Sequence, residues 1–450
     1  MSLEEEVLAK IRPTRSERDK VRDVARELVE TLEKAAQRKG IPAEPILVGS
    51  VAKDTFLKNP EIDVFVAFPP KTSREELERW GLELGKVLDH PTRRYAEHPF
   101  THGFFRNHEA DVVPCYKLDK SSARMTAVDR TPFHLEYVRE SLQEGQKDEV
   151  RLLKQFTKGI AVYGAEARVQ GFSGYLCELL ILKFGTFKQL LQAAKRWRPR
   201  VQLQLEMGPA RAFEEPLVFV DPVDGERNAA SAVSIDSLAT FIHAAREYLR
   251  EPSEAFFFPE IPAPWSVSEL KKEMKKRGTL ILAVSSTAPD LPEDVLYPQL
   301  RKAEQATLAY LSNHDFRVFR SEPFLLEGDW CVLLEVEVSK LPGVKKHLGP
   351  PPWLKNAYSF TRKWESSPDR VAGPYVEEGR LVVDVRRTHV DAAQALGDGL
   401  PDLSLGKHLD EAVRGGYKIL RGEEIIDTGY VGILTTFLRR EFPWRATKSR

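Results

Sequence analysis

Ile46-Leu47-Val48-Gly49-Ser50 is followed, after ten residues, by Glu61-Ile62-Asp63-Val64-Phe65-Val66, and the reading of these two stretches decides the fold of the chain. The apolar run Ile46 to Val48 stops at Gly49-Ser50. The residues beyond it, through Leu57, have the character of a helix whose first N–H groups would face an anion such as a triphosphate. Glu61 and Asp63 flank Ile62 in a run that stays apolar to Phe68. On a strand of period two, both carboxylates leave one face while Ile62 enters the core. Two like charges side by side in a buried strand are costly unless a cation neutralises them.

Working outward, residues 4 to about 38 read as an amphipathic helix or helix pair broken near Pro13, with Val21, Val24, Ala25, Leu28, Val29 and Leu32 on one stripe. Ser73 with Glu76 opens a further helix as a capping box. Strand and helix signals alternate, so this part is α/β. Asp111-Val112-Val113-Pro114-Cys115-Tyr116 is another apolar strand, begun by a third acid. Glu61, Asp63 and Asp111 on adjacent strands could hold two divalent ions about 4 Å apart, the arrangement used for in-line displacement at phosphorus. Magnesium suits such hard oxygen ligands.

Composition narrows the setting. At 450 residues the chain exceeds what one core supports, so two or three domains are expected. Lysine plus arginine equals aspartate plus glutamate at 67 each, so attraction to nucleic acid must come from local patches. Cys115, Cys177 and Cys331 lack zinc or disulfide spacing, which suits a reducing, cytoplasmic location. The longest apolar run, Leu176 to Phe184, is interrupted by Glu178 and Lys183 and is too short for a bilayer, so no membrane partner is expected.

Beyond Asp129 the texture turns helical, over Glu149 to Lys158, Ser173 to Phe184, Thr186 to Trp197 and Ser237 to Leu249. Prolines 252, 259, 262 and 264 then mark a boundary. Past it, strands at Thr279 to Val284, Cys331 to Val338 and Leu381 to Val385 accompany a helix from Tyr297 to Leu311, which reads as a small α+β domain. His98 and His102 are four apart, but Pro99 and the lack of a third ligand argue against zinc.

Gly49-Ser50, Glu61-Ile62-Asp63 and Asp111 resemble the signature of the polymerase-beta-type nucleotidyltransferases. Longer strings narrow the likeness to the archaeal, class I CCA-adding enzyme family: Tyr95 to Pro99, Asp111 to Lys117, Ala127 to His134, Tyr163 to Glu166, Gly171 to Glu178, and Asp221 to Asp224 with Arg227-Asn228. The resemblance implies an α+β multidomain protein: a polymerase-beta-like α/β catalytic domain (1–140), a helical central nucleotide-binding domain (141–258), and an α+β C-terminal tRNA-binding body and tail (259–450). It implies completion of the tRNA 3′ end with C, C and A from CTP and ATP, without a nucleic-acid template, by two-metal transfer that releases pyrophosphate.

Residue roles follow from the same likeness. Glu61, Asp63 and Asp111 would be catalytic and hold two Mg2+ ions; Ser50, Lys53, His134, Lys154 and Tyr163 would bind the nucleotide; Arg227 would help tell C and A from G and U. Residue 53 is a lysine where the family usually has arginine, so the charge survives and the bidentate fork does not. Tyr163 lies nine residues after Lys154, which puts it on the opposite face of an unbroken helix unless Gly159 ends that helix.

For the tRNA acceptor stem and 3′ end, two basic stretches stand out. Arg196 and Arg198 surround Trp197 at a helix end, and Gly343 to Trp364 carries Lys345, Lys346, Lys355, Arg362 and Lys363 among aromatics with no acid. The prolines in that stretch argue against one helix. The Arg439 to Arg450 tail is basic too. Two other readings share parts of this pattern: a related poly(A)- or oligoadenylate-type polymerase, and a non-catalytic RNA-binding protein on the same scaffold. A homodimer is open, since no heptad or other self-association signal stands out.

Overall fold

The computed structural model describes residues 1–95, 98–118, 127–206 and 213–446. Ala96-Glu97 of one family-like string and residues 447–450 of the basic tail lie outside them. The chain forms two compact units, one comprising Met1–Pro262, Pro292–Asp294 and Glu441–Arg450, the other Ala263–Leu291 and Val295–Arg440.

In the first unit, α1 (Leu3–Ile11) and α2 (Arg15–Lys39) separate at Pro13, as the sequence indicates. Thr14 and Glu17 form a capping box, and Gly40 ends α2 in the left-handed conformation (φ 65°). The α2 stripe Val21, Ala25, Leu28 and Leu32 is buried. It packs with Ile62, Val64, Val66 and Phe68 in one cluster.

Strands β1 (Glu44–Leu47), β2 (Ile62–Phe68), β3 (Asp89–Tyr95), β4 (Pro99–Phe105) and β5 (His108–Tyr116) form a sheet in the order β1-β2-β5-β4-β3. Only the β2–β5 pairing is parallel; in it Asp63 stands opposite Asp111. Both faces are covered, because Phe65, Ala67, Val113 and Cys115 pack with Leu135 on the side away from α2. Period-two alternation therefore sends Asp63 and Asp111 out on this second face, at the ends of their apolar runs. The expected helix through Leu57 is shorter: α3 (Gly49–Lys53) ends at Asp54, which is left-handed at φ 56°. The capping box Ser73–Glu76 opens α4 (Arg74–Gly85).

Helices α5 (Thr131–Ser141), α6 (Gln146–Gly159), α7 (Gly174–Phe184), α8 (Phe187–Ala194) and α9 (Ile235–Arg250) follow. As expected from its apolar surface, α7 is a core member, with Leu176 to Ile181 all buried. Sequence periodicity missed a small sheet among these helices, formed by β6 (Val201–Leu203), β7 (Leu217–Asp221) and β8 (Asp224–Asn228). Its strands are too short to show a period.

The second unit holds a four-stranded sheet, β10-β11-β9-β15, of β9 (Leu280–Thr287), β10 (Val318–Leu325), β11 (Asp329–Val336) and β15 (Lys418–Arg421). A second sheet, β12-β14-β13, consists of β12 (Val344–Leu348), β13 (Arg370–Glu377) and β14 (Arg380–Arg386), with a helix at Ala357–Glu365 packed beside it. Among the described residues, no helix is long and apolar enough to cross a membrane.

Candidate active site

The site is built where β2 begins and its partner β5 runs alongside, at Asp63 and Asp111. Gly49 adopts φ 69°, and a Cβ there would lie 1.9 Å from Asp63 Oδ2. The glycine is required twice, by its dihedral and by the carboxylate lying against its α-carbon. Burial, reinforced by the charges of Glu61 and Asp111, raises Asp63 to about 7; burial and Glu61 raise Asp111 to about 8. The charges of Lys53 and Lys154 on Asp63, and of Arg94 on Asp111, do not outweigh burial and the neighbouring acids, and under-compensated hard oxygen donors fit a divalent cation.

His102, which sequence reasoning set aside together with His98, belongs to this cluster. Its Nδ1 lies 2.8 Å from Asp111 Oδ1 and 3.2 Å from Glu61 Oε1. One ligand atom each from Glu61, His102 and Asp111 lies within 4.8 Å of the others. The pairing of β4 with β5 sets His102 opposite Asp111, a register that local spacing does not encode.

Beside the acids opens a cavity of about 510 Å³, lined by Ser50, Lys53, Glu61, Asp63, Lys154 and Tyr163 together with Lys158, Tyr175 and Glu178. Six residues singled out in the sequence thus line one cavity. Lys154 and Tyr163 reach it together because α6 ends at Gly159 and Ala161 turns left-handed (φ 61°). A Cβ on Gly174 would sit 3.2 Å from the Tyr163 hydroxyl and 3.6 Å from Lys154 Cε, so the start of α7 closes tightly on both. Burial raises the Tyr163 phenol, leaving it a neutral hydroxyl at physiological pH.

Glu178, on α7, has no exposed surface. Its carboxylate accepts from Lys53 Nζ at 2.5 Å and from Thr55 Oγ1 at 2.6 Å, and faces Lys154 Nζ at 3.4 Å. Burial opposes its ionisation, but the charges of Lys53 and Lys154 outweigh burial and hold it below the usual range. An acid in the most apolar helix of a chain must be paired, and that was the signal in the sequence.

His134 and Arg227 converge on another carboxylate, Asp221 at the end of β7. Its Oδ2 is 2.9 Å from His134 Nε2 and accepts from Arg227 Nη1 at 2.6 Å; Oδ1 accepts from the Tyr175 hydroxyl at 3.0 Å and the Val223 amide at 3.0 Å. Burial works against the Asp221 charge, and the His134 hydrogen bond and its other donors bring it down to about 2. Tyr175 stacks on His134 with ring centroids 4.0 Å apart and also lines the cavity, so it joins the two groups.

The expected tRNA residues are elsewhere. Arg196 and Arg198 are exposed beyond the end of α8. Gly343 to Trp364 is β12 followed by a turn and the helix Ala357–Glu365. Its acid-free sequence is not an acid-free surface, because Lys345 pairs with Asp315 at 2.8 Å and Lys346 with Glu377 at 2.6 Å, both brought in from other strands and loops. Lys355, Arg362 and Lys363 remain exposed, beside Trp353 at 76% and Tyr358 at 71% exposure.

Three family models match successive parts of the chain: a nucleotidyltransferase domain over residues 28–134, a tRNA nucleotidyltransferase second domain over 148–258, and a CCA-adding enzyme C-terminal domain over 277–422. The chain is 40% identical over 426 residues to the CCA-adding enzyme of Methanosarcina barkeri, covering 93% of each. It is 38% identical over 455 residues to that of Methanothermobacter thermautotrophicus, covering 98% of each. Among solved structures, one of the Cid1 poly(U) polymerase is similar at a TM-score of 0.44 and 15% identity, over 56% of this chain and 96% of its own.

Proposed function

The chain belongs to the archaeal CCA-adding enzymes, nucleotidyltransferases that add CCA to tRNA, and on that premise we propose how its own residues perform the reaction. The observation that carries the proposal is the meeting of Glu61 and Asp63 with Ser50, Lys53, Lys154 and Tyr163 around one cavity, with Asp111 standing opposite Asp63 in the β2–β5 pairing. Glu61, Asp63 and Asp111 would hold the divalent cations the reaction uses, two Mg2+ ions in this reading. Bound there, the metal would make the tRNA 3′-hydroxyl more acidic and neutralise the departing pyrophosphate.

The protein's own groups orient the reactants. Gly49 lets the backbone approach the acids, and Ser50 and Lys53 meet the triphosphate of CTP or ATP. Lys154 contributes positive charge from the buried wall and Tyr163 a neutral hydroxyl. His134 sits on the same side as Tyr175, and Arg227 keeps N–H donors free of Asp221 for the base edge. Cytosine and adenine each present a ring-nitrogen acceptor beside an exocyclic amino donor, whereas uracil and guanine present the reverse, so an arginine donor favours the first pair. Arg196, Arg198, Lys345, Lys346, Lys355, Arg362 and Lys363 supply phosphate contacts to the tRNA, and Trp353 and Tyr358 supply stacking surfaces. A cytoplasmic location and a homodimer belong to the same reading.

The test uses tRNA transcripts ending before the first C, before the second C and before A, each given one nucleotide at a time. Addition of C, C and then A, followed by arrest, is expected. A homopolymer tail would instead favour a poly(A)-type activity, and absence of pyrophosphate release a non-catalytic scaffold.

A further inference from the structure

Lys53 and Lys154 reach the cavity wall in different ways. Lys154 Nζ has three acceptors inside the protein, Thr55 O at 3.2 Å, Thr55 Oγ1 at 3.0 Å and Glu178 Oε1 at 3.4 Å, so its donors are already used. Lys53 Nζ has one hydrogen-bond acceptor among the described residues, Glu178 Oε2. An ammonium carries three N–H groups, so two remain on Lys53 for other acceptors; its Nζ also lies 5.8 Å from the centroid of the Tyr175 ring, another wall of the same cavity. Its side chain is only 9% exposed, and that remainder opens on the cavity beside Ser50 and Asp63.

A buried ion pair is weak evidence for stability, because desolvating both charges offsets their attraction and an apolar pair of similar volume packs as well. Packing alone therefore gives no reason for an acid at this point of α7. Phosphate binding does. Lysine holds its charge on a flexible four-carbon stem, without the planar fork that preorganises arginine. A fixed carboxylate behind Nζ removes that freedom before a ligand arrives.

Resting on the nucleotide-site reading above, we infer that Glu178 is a positioning residue for nucleotide binding: clamped by Thr55 and Lys154, it holds the Lys53 ammonium at the cavity wall with two N–H groups toward the triphosphate. The clamp concerns phosphates only, so it acts equally on CTP and ATP.

The test measures CTP and ATP dissociation constants by calorimetry on the full chain without tRNA, for wild type, Glu178→Gln, Lys53→Met and the double variant. Glu178→Gln is expected to weaken both nucleotides about ten-fold, the scale of one charge-assisted hydrogen bond, with the CTP-to-ATP ratio unchanged. The double variant should bind no more weakly than Lys53→Met alone, since Glu178 acts through Lys53. Additive losses, or tighter binding by Glu178→Gln, would overturn the inference. Thr55→Val, which removes one clamp at constant volume, covers the case in which Glu178→Gln does not fold; both nucleotides should weaken by a smaller factor, and unchanged affinity counts against the role. If wild-type protein binds neither nucleotide, the nucleotide-site reading falls and the inference with it. If it binds them and adds CCA while Glu178→Gln keeps full affinity, only the positioning role falls.

Discussion

Asp63 and Asp111 are register partners on parallel strands, and the charge of Asp111 adds to burial and to Glu61 in holding Asp63 protonated up to about pH 7. These carboxylates, proposed as the catalytic acids, are thus a destabilising feature of the metal-free protein. An Asp whose folded pKa is raised binds more protons folded than unfolded. Stability is therefore lost as pH rises from the unfolded value near 4 through the folded value near 7. With metal chelated, Asp63→Asn should raise the melting temperature at pH 8 by several degrees, a gain of about 2–4 kcal/mol. At pH 4 the gain should vanish, and CCA addition should be abolished at any pH. Scanning calorimetry at both pH values, beside a single-addition assay, checks this.

The same titration sets metal affinity. Below about pH 7–8 a cation must displace protons from Asp63 and Asp111. Magnesium binding should weaken as pH falls from 8.5 to 6.5, by up to about ten-fold per pH unit for each proton displaced. Titrations in buffers of different protonation enthalpy would count the protons. A flat profile would remove the carboxylates from the site.

Gly49→Ala tests how closely the backbone must approach. The added Cβ meets Asp63 Oδ2 at 1.9 Å and demands φ 69° of an alanine. The carboxylate must move, and a displacement near 1 Å costs about a hundred-fold in rate. We expect kcat/KM to fall by that order while the protein stays folded, the backbone penalty being about 1–2 kcal/mol.

The strands that carry the acids proposed as catalytic were legible in the sequence, because apolar runs begin at Glu61-Ile62-Asp63 and at Asp111, and two charges at the head of a buried strand are conspicuous. Of the residues proposed to bind the nucleotide, Ser50 came from the Gly49-Ser50 helix start, and the others came only through family resemblance, since nothing local distinguishes Lys154 from a surface lysine. What escaped were pairings made by tertiary register: His102 reaches Asp111 across β4 and β5, and Lys346 meets Glu377 across β12, β14 and β13. The short strands Leu217–Asp221 and Asp224–Asn228 escaped for a different reason, because five residues cannot show a period and DPVD reads only as a turn.

Asp221 gives a prediction on base choice. It fixes Arg227 at 2.6 Å and His134 at 2.9 Å, so Asp221→Asn should loosen the arginine without removing it. Incorporation of U or G opposite no template should rise about ten-fold for Asp221→Asn and further for Arg227→Ala, with tRNA binding changed little. Product sequencing with all four nucleotides checks the ratio. Retained C and A selection in Arg227→Ala would deny that residue its role.

The tRNA surface proposed on the second unit predicts that tRNA affinity can be separated from chemistry. Lys355, Arg362 and Lys363 are exposed, whereas Lys346 is already engaged by Glu377, an exposed acid and therefore a weak competitor in salt. Converting Lys355, Arg362 and Lys363 together to glutamine should weaken tRNA binding and lower the slope of log Kd against log salt by about one for each phosphate that is no longer neutralised. Glu377→Gln should have the opposite sign, because it frees the Lys346 ammonium for a phosphate. Neither change touches the nucleotide cavity, so CTP affinity measured without tRNA should stay at the wild-type value. If the triple variant instead bound CTP more weakly and kept its salt slope, the surface would have no part in holding tRNA.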